Sequence, residues 1–266
     1  MRLFVTIYVL IFLGLSSCHR ANKGVSFSAI RFHCAYTSNP IDFYQPYFDT
    51  LQFYMSKVKP DLISFEETEF TDSCLKHIES EGYQFMPVNT LKEDTQIKFS
   101  PIAIKKKSFD FLASSYYIYR NKTLQENKNM LTWYQLKNKH SGHIFYFFRL
   151  QLQDTIPSYH SKQIAFDLLK RIDEISAGVP VILMGDFKDS NVTVKKLLTD
   201  DWKGVYALSD VKTTNKNMEF LVNDFLKIVS FDAGAANDSL INKLVVRFSF
   251  STGKIGKNTS GAIIPE

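Results

Sequence analysis

Cysteine is scarce in this 266-residue chain, with Cys18, Cys34 and Cys74 the full set. Three cysteines cannot staple a disulfide scaffold, and no Cys/His group has zinc-ligand spacing, so the chain must hold itself together by a hydrophobic core. Long hydrophobic runs are missing as well. The longest, over 3–15, is about thirteen residues, too short for a hydrocarbon core of ~30 Å. There is no internal repeat and no Pro/Gly/Ser-rich linker, which excludes solenoids and strings of small domains. Nor does one sign of charge dominate: 32 Lys and Arg against 27 Asp and Glu leave a net +5. Such a balance demands neither a nucleic-acid nor a membrane partner. The clusters Lys105-Lys106-Lys107 and Lys195-Lys196 could touch nucleic acid or anionic lipid, but solvated strand and helix ends are the favoured explanation.

What is present is apolar and aromatic. Hydrophobic residues make up 45%, with 23 Phe and 13 Tyr, enough for a sizeable core. Met1-Arg2 ahead of the apolar run reads as the basic start of an export signal, and Leu15-Ser16-Ser17-Cys18 follows at once. Small residues just before a cysteine resemble the lipobox of bacterial lipoproteins, in which that cysteine is lipidated and becomes the first residue. The alternative is a plain secretory signal with an incidental cysteine. The expected organisation is a lipoprotein signal peptide over 1–17, lipidated Cys18 and a tether over 18–24, and one domain over 25–266. The implied address is the bacterial cell envelope, with the protein anchored to a membrane through its N-terminal lipid, on the periplasmic or surface face of an outer membrane. In that oxidising compartment a Cys34–Cys74 disulfide remains open.

Period-two patterning predicts strands over 25–35 and 61–65, with a helix between them over 41–58 whose stripe is Tyr44, Phe48, Leu51, Met55 and Val58. A helix over 72–79 follows, and then strands over 83–88, 97–105, 109–119, 130–137 and 143–152, for which antiparallel meanders are the economical connection. The segment 158–175 returns to helical spacing with Ile164, Ala165, Leu168, Ile172 and Ile175 on one stripe. Strands over 181–184, 225–231 and 244–250 complete the chain. Mixed strands with helices between them imply an α/β protein of two stacked mixed sheets flanked by helices.

Two strands carry acids where they run out: Pro60-Asp61-Leu62-Ile63-Ser64-Phe65-Glu66-Glu67, and Pro180-Val181-Ile182-Leu183-Met184-Gly185-Asp186-Phe187-Lys188. Together they resemble the endonuclease/exonuclease/phosphatase superfamily, the DNase I-like fold, whose strands end in Gln-Glu and in Gly-Asp-x-Asn. The resemblance runs over essentially the whole chain after residue 24 and implies a four-layer α/β sandwich. It also implies a divalent metal, usually Mg²⁺, held by the glutamate of the second strand, and a histidine supported by an aspartate. Hard oxygen ligands suit Mg²⁺, and phosphoryl transfer is largely charge stabilisation and positioning.

Residue by residue, Glu67 matches the metal-binding glutamate and Asp186 the Gly-Asp aspartate. Glu66 replaces the glutamine, Lys188 the asparagine of Gly-Asp-x-Asn, and His33 the asparagine ending the first strand. Phe147-Phe148-Arg149-Leu150-Gln151-Leu152 aligns with Asn-Thr-His-Leu, which places Arg149 on the asparagine and Gln151 on the catalytic histidine. By the two-residue period Arg149 and Gln151 share a face, expected to be that of the pocket. Gln151 has no proton to exchange near neutrality, so it cannot act as general acid or base. Asp224, in Val222-Asn223-Asp224-Phe225-Leu226, is the candidate for a later aspartate, with a register open by one residue. The closing Ser-Asp-His motif has no counterpart in Thr259-Ser260-Gly261-Ala262-Ile263-Ile264-Pro265. Two carboxylates without an ion repel in a desolvated site, and Lys188 or Arg149 can supply the missing charge.

The expectation is therefore a vestigial cleft that needs no cofactor and binds a protein, a glycan or an anionic ligand; nucleic acid is not the expected partner. The enzyme alternative is a divergent Mg²⁺-dependent phosphoesterase acting on nucleic acid, phospholipid headgroup or sugar phosphate. A structural subunit of an outer-membrane assembly is the third reading. A shifted alignment, with an intact site built from other residues, remains open beside all three.

Overall fold

The computed structural model describes residues 26–34, 40–66, 72–86, 102–119, 130–152, 158–186, 203–204, 218–222, 226–235 and 241–250. In chain order the elements are β1 (Ser26–Cys34), α1 (Pro40–Lys57), β2 (Leu62–Glu66), α2 (Asp72–Ser80), β3 (Tyr83–Met86), β4 (Ile102–Lys105) and β5 (Phe109–Ile118). There follow β6 (Met130–Asn138), β7 (Ile144–Gln151), α3 (Ser158–Ser176), β8 (Val181–Asp186), β9 (Lys203–Gly204), β10 (Met218–Val222), β11 (Leu226–Ala235) and β12 (Ile241–Phe250).

They form two six-stranded sheets, of order β11-β12-β1-β2-β4-β3 and β5-β6-β7-β8-β10-β9. Each sheet has one parallel pair near its centre, β1 with β2 and β7 with β8, and the remaining pairs run antiparallel. A parallel pair needs a crossover, and α1 and α3 supply the two.

Alternation along the strands divides the side chains cleanly. Phe27, Ala29, Leu62, Phe145, Phe147, Ile182 and Met184 meet between the sheets. The alternate residues Ile30, Ile63 and Phe65 pack against Leu51, Tyr54 and Met55 of α1 and Ile78 of α2. Phe148, Leu150 and Leu183 pack against Ala165, Leu168 and Ile172 of α3. The result is helix, sheet, sheet, helix: the four-layer sandwich expected from the sequence. Among the described residues no helix is long and apolar enough to cross a membrane.

Antiparallel pairing joins β3 to β4 and runs through β5, β6 and β7 as expected, and two other expectations need correction. The two antiparallel sets belong to different sheets, β3 and β4 joining β2 in one whereas β5 to β7 open the other. The break falls at the turn Lys106–Ser108, where the chain crosses between sheets. Val58 does not belong to the buried stripe of α1 but is 36% exposed, with Tyr54 buried in its stead. The helix ends at Lys57, so Val58 lies past its last residue, and Lys59, with a φ of 49°, then turns the chain away. Finally, β9 and β10 add strands where the sequence pattern indicated none.

Asp61 clamps the end of the sandwich where β1 and β2 begin. Its carboxylate accepts hydrogen bonds from the Ser28 amide at 2.9 Å, the Ser28 hydroxyl at 3.3 Å and the Ser108 hydroxyl at 2.7 Å. Its own amide donates to the Ser28 carbonyl, and its carbonyl accepts from the Lys105 amide. One side chain thus ties β1, the start of β2 and the crossing turn. Replacing Asp61 by Ala strands these donors and is expected to cost about 2–3 kcal/mol. A melting temperature lower by roughly 5–10 °C checks it, whereas an unchanged one would mean the clamp is redundant.

Candidate functional site

Ring contacts fix the relative direction of the two sheets. Phe27, near the start of β1, lies 5.4 Å from Phe109 and 5.0 Å from Phe145, which begin β5 and β7. The two parallel pairs therefore point the same way, and their C-terminal ends emerge at one pole, between the sheets. In open α/β sheets ligands bind in the crevice outside the carboxyl ends of the strands.

Towards that pole the inter-sheet face changes from apolar to polar. On β1 the face reads Phe27, Ala29, Arg31; on β2, Leu62, Ser64; on β7, Phe145, Phe147, Arg149, Gln151; on β8, Ile182, Met184. Successive members of each series stand ~6.6 Å apart along the strand. Registers align the series across strands: Arg31 pairs with Ser64 and His33 with Glu66, while Thr132 pairs with Arg149 and Met130 with Gln151. On β8 Met184 pairs with Arg149.

Directly above the aromatic layer lies a buried polar one. Arg31 and Arg149 are 0% and 3% exposed, and Ser64 and Thr132 are buried with them. Tyr134, on β6, is buried in the same core, and burial raises its hydroxyl pKa well above the ordinary value while the nearby Arg149 guanidinium pulls it down. Gln151, one step further out, is half-buried. The Ser64 hydroxyl, the Tyr134 hydroxyl and the Gln151 Oε1 are buried with no hydrogen-bond partner among the described residues.

The residues singled out in the sequence fall unevenly. His33 is the last residue but one of β1 and Asp186 the last of β8, each described by its backbone alone. Arg149 and Gln151 stand on the inter-sheet face of β7. Glu67, Lys188, Asp224 and Cys18 lie outside the described residues, Glu67 being the next residue after Glu66 ends β2. Cys34 ends β1, also by backbone alone. Among the described residues no group of three His, Cys, Asp or Glu is placed to hold a metal ion.

Arg31, Ser64, Thr132 and Tyr134 were not singled out as site residues. Their signal was nonetheless present, because counting by twos from Phe27 and from Leu62 lands on Arg31 and Ser64 on the face that carries the core. An arginine at a position patterned as core is the informative anomaly.

No protein-family model and no curated protein sequence matches the chain. Solved structures do. An endonuclease/exonuclease/phosphatase from Bacteroides vulgatus superposes with a TM-score of 0.66 at 16% identity, covering 85% of this chain and 100% of its own. The mannosyl-6-phosphatase of Bacteroides thetaiotaomicron gives 0.62 at 16% identity, over 84% and 100%. The catalytic domain of human Nocturnin, solved with a bound sulfate anion, gives 0.62 at 16% identity, over 86% and 97%. Two mixed sheets face to face, helices outside, parallel strand ends converging at one pole and this set of structural neighbours identify the fold as that of the endonuclease/exonuclease/phosphatase proteins.

Proposed function

We propose that the strand-end cleft binds an anionic or strongly polar ligand and no longer hydrolyses phosphoesters. The observation that carries the reading is the pair of buried arginines, Arg31 and Arg149, on the inter-sheet face beneath the mouth. A divalent cation needs hard oxygen donors and a negative surround. Two guanidiniums that cannot lose their charge are not ligands for such an ion, and the sequence resemblance sets Lys188 in place of an asparagine two residues after Asp186. Mg²⁺ fits this donor set poorly.

The same layer favours a polar ligand. Each buried polar atom without a partner costs about 1–3 kcal/mol, which a ligand group reaching Gln151, Tyr134 or Ser64 would remove. Lipidation at Cys18, in a cell-envelope lipoprotein, is part of this proposal and rests on the sequence alone. The test of the cleft is calorimetric titration with inorganic phosphate and, separately, with MgCl₂. Heat of binding is expected from phosphate, about tenfold weaker in Arg149→Met because an ionised hydrogen-bonding group and its field are lost. Binding of Mg²⁺ with no response to phosphate would reverse the proposal in favour of the metal-dependent phosphoesterase, whose support is the solved phosphatase sharing this fold.

A further inference from the structure

The pole opposite the cleft has a chemistry of its own. Strand direction collects there the end of α1, the start of β2, the turns joining β4 to β5 and β6 to β7, and Ser26, the first residue of β1. Lys57 and Lys59, Lys105 to Lys107, and Lys137 and Lys139 all fall on these segments, and all but the half-buried Lys105 are exposed. They are neighbours in space. Lys105 Nζ reaches the Lys59 carbonyl at 3.5 Å, and Lys139 Nζ donates to the Lys106 carbonyl at 2.8 Å. Partial burial, with Lys107 and Lys59 close by, lowers the Lys105 pKa from its ordinary value. The carboxylates beside them are fewer: Asp61 is engaged internally, Asp110 pairs with Lys139 at 3.1 Å, and Glu79 and Glu81 remain.

A second observation lies on the same pole. Of the six large hydrophobic side chains exposed among the described residues, four are here: Phe53 at 53%, Val58 at 36%, Phe111 at 38% and Leu112 at 44%. Phe111 and Leu112 sit at a bulge in edge strand β5, which brings consecutive residues to the surface together. Apolar side chains interleaved with lysines match the region where lipid headgroups meet acyl chains.

We infer that this pole docks on an anionic phospholipid bilayer, with the strand-end cleft facing away from that membrane. The occupant follows from charge complementarity and from the segment that joins the domain here, since Ser26 is preceded in sequence by the apolar run over 3–15 and by Cys18. The eight peptide steps from Cys18 to Ser26 reach at most ~28 Å, which keeps the basic pole, and not the cleft, beside whatever surface holds the segment. The cleft stands a further ~30 Å out, the length of a nine-residue strand. A ligand for it therefore comes from the surrounding medium or a facing surface rather than from headgroups of the same leaflet.

Flotation of the full-length protein with vesicles tests the inference. Partition onto vesicles containing phosphatidylglycerol is expected to exceed that onto pure phosphatidylcholine by about tenfold or more at low salt, and the preference to vanish at high salt. The triple variant K59E/K106E/K107E, with its fold checked by circular dichroism, is expected to lose the preference while its binding to phosphatidylcholine is unchanged. The salt titration of the unaltered protein needs no variant, so the test survives a folding failure. Equal partition onto both vesicles, a preference that outlasts the triple variant, or displacement from anionic vesicles by stoichiometric DNA would each overturn it, the last by making the pole a nucleic-acid surface.

Discussion

Incubated with Mg²⁺ or Mn²⁺ and a broad set of phosphodiesters and phosphomonoesters, the protein is expected to release product no faster than the metal-containing buffer. The residue aligned with the acid-base histidine is Gln151, and an amide cannot exchange a proton near neutrality. General acid-base assistance is typically worth ~10²–10⁴-fold, and a metal ion contributes several kcal/mol of charge stabilisation in addition. On the proposed reading the first is lost with Gln151 in the histidine's place, and the second is disfavoured by the buried guanidiniums of Arg31 and Arg149. The control is Glu67→Ala assayed beside the unaltered chain. Metal-dependent turnover that disappears in the control would sink the reading of an impaired site and establish the phosphoesterase in its place. Turnover equal in both proteins would indicate contamination.

The largest loss of stability is expected from Phe27→Ala. Its ring is 3% exposed and meets those of Phe109, Phe145, Phe248 and Phe250 at 5.4, 5.0, 5.5 and 5.6 Å, so it joins β1 to β5, β7 and β12. Removing a buried phenyl costs about 3–5 kcal/mol, of which the cavity share is large here because aromatic rings held on two sheets cannot collapse inward. Against a domain stability of about 5–15 kcal/mol, the melting temperature should fall by roughly 10 °C or more. Phe166→Ala is the contrasting case. Phe166 is 60% exposed on α3, and its loss should stay within about 0.5 kcal/mol. Equal shifts in the two variants would show that the inter-sheet cluster does not hold the sandwich together.

Local pattern was enough to read the helices and most strands. The stripe of Ala165, Leu168 and Ile172 packs as expected, because a helix period is written within the helix itself. The segment Val181–Asp186 was legible for a related reason: a short run apolar on both faces belongs in a covered parallel sheet, and both of its faces are indeed buried. The resemblance of the two acid-ended strands to a known superfamily then pointed to the sandwich itself.

What remained hidden was everything that depends on which strands pair. The passage of the chain from one sheet to the other after β4 leaves no periodic trace, since both sheets use the same alternation. β10 is a five-residue strand whose place depends on pairing with β8, and a segment so short carries too few turns of pattern to declare itself. Arg31 and Ser64 could be assigned to a face by counting, but only the stacking of the two sheets makes that face the interior, and places their polar layer directly beneath the strand ends. The basic pole is the clearest case. Lys59, Lys105 and Lys139 are far apart in sequence and scattered at the ends of unrelated elements, and the parallel centre of each sheet is what brings those ends together, opposite the cleft. Sequence determined the elements and the chemistry each one carries. Long-range pairing, which no local period encodes, decided which chemistries meet.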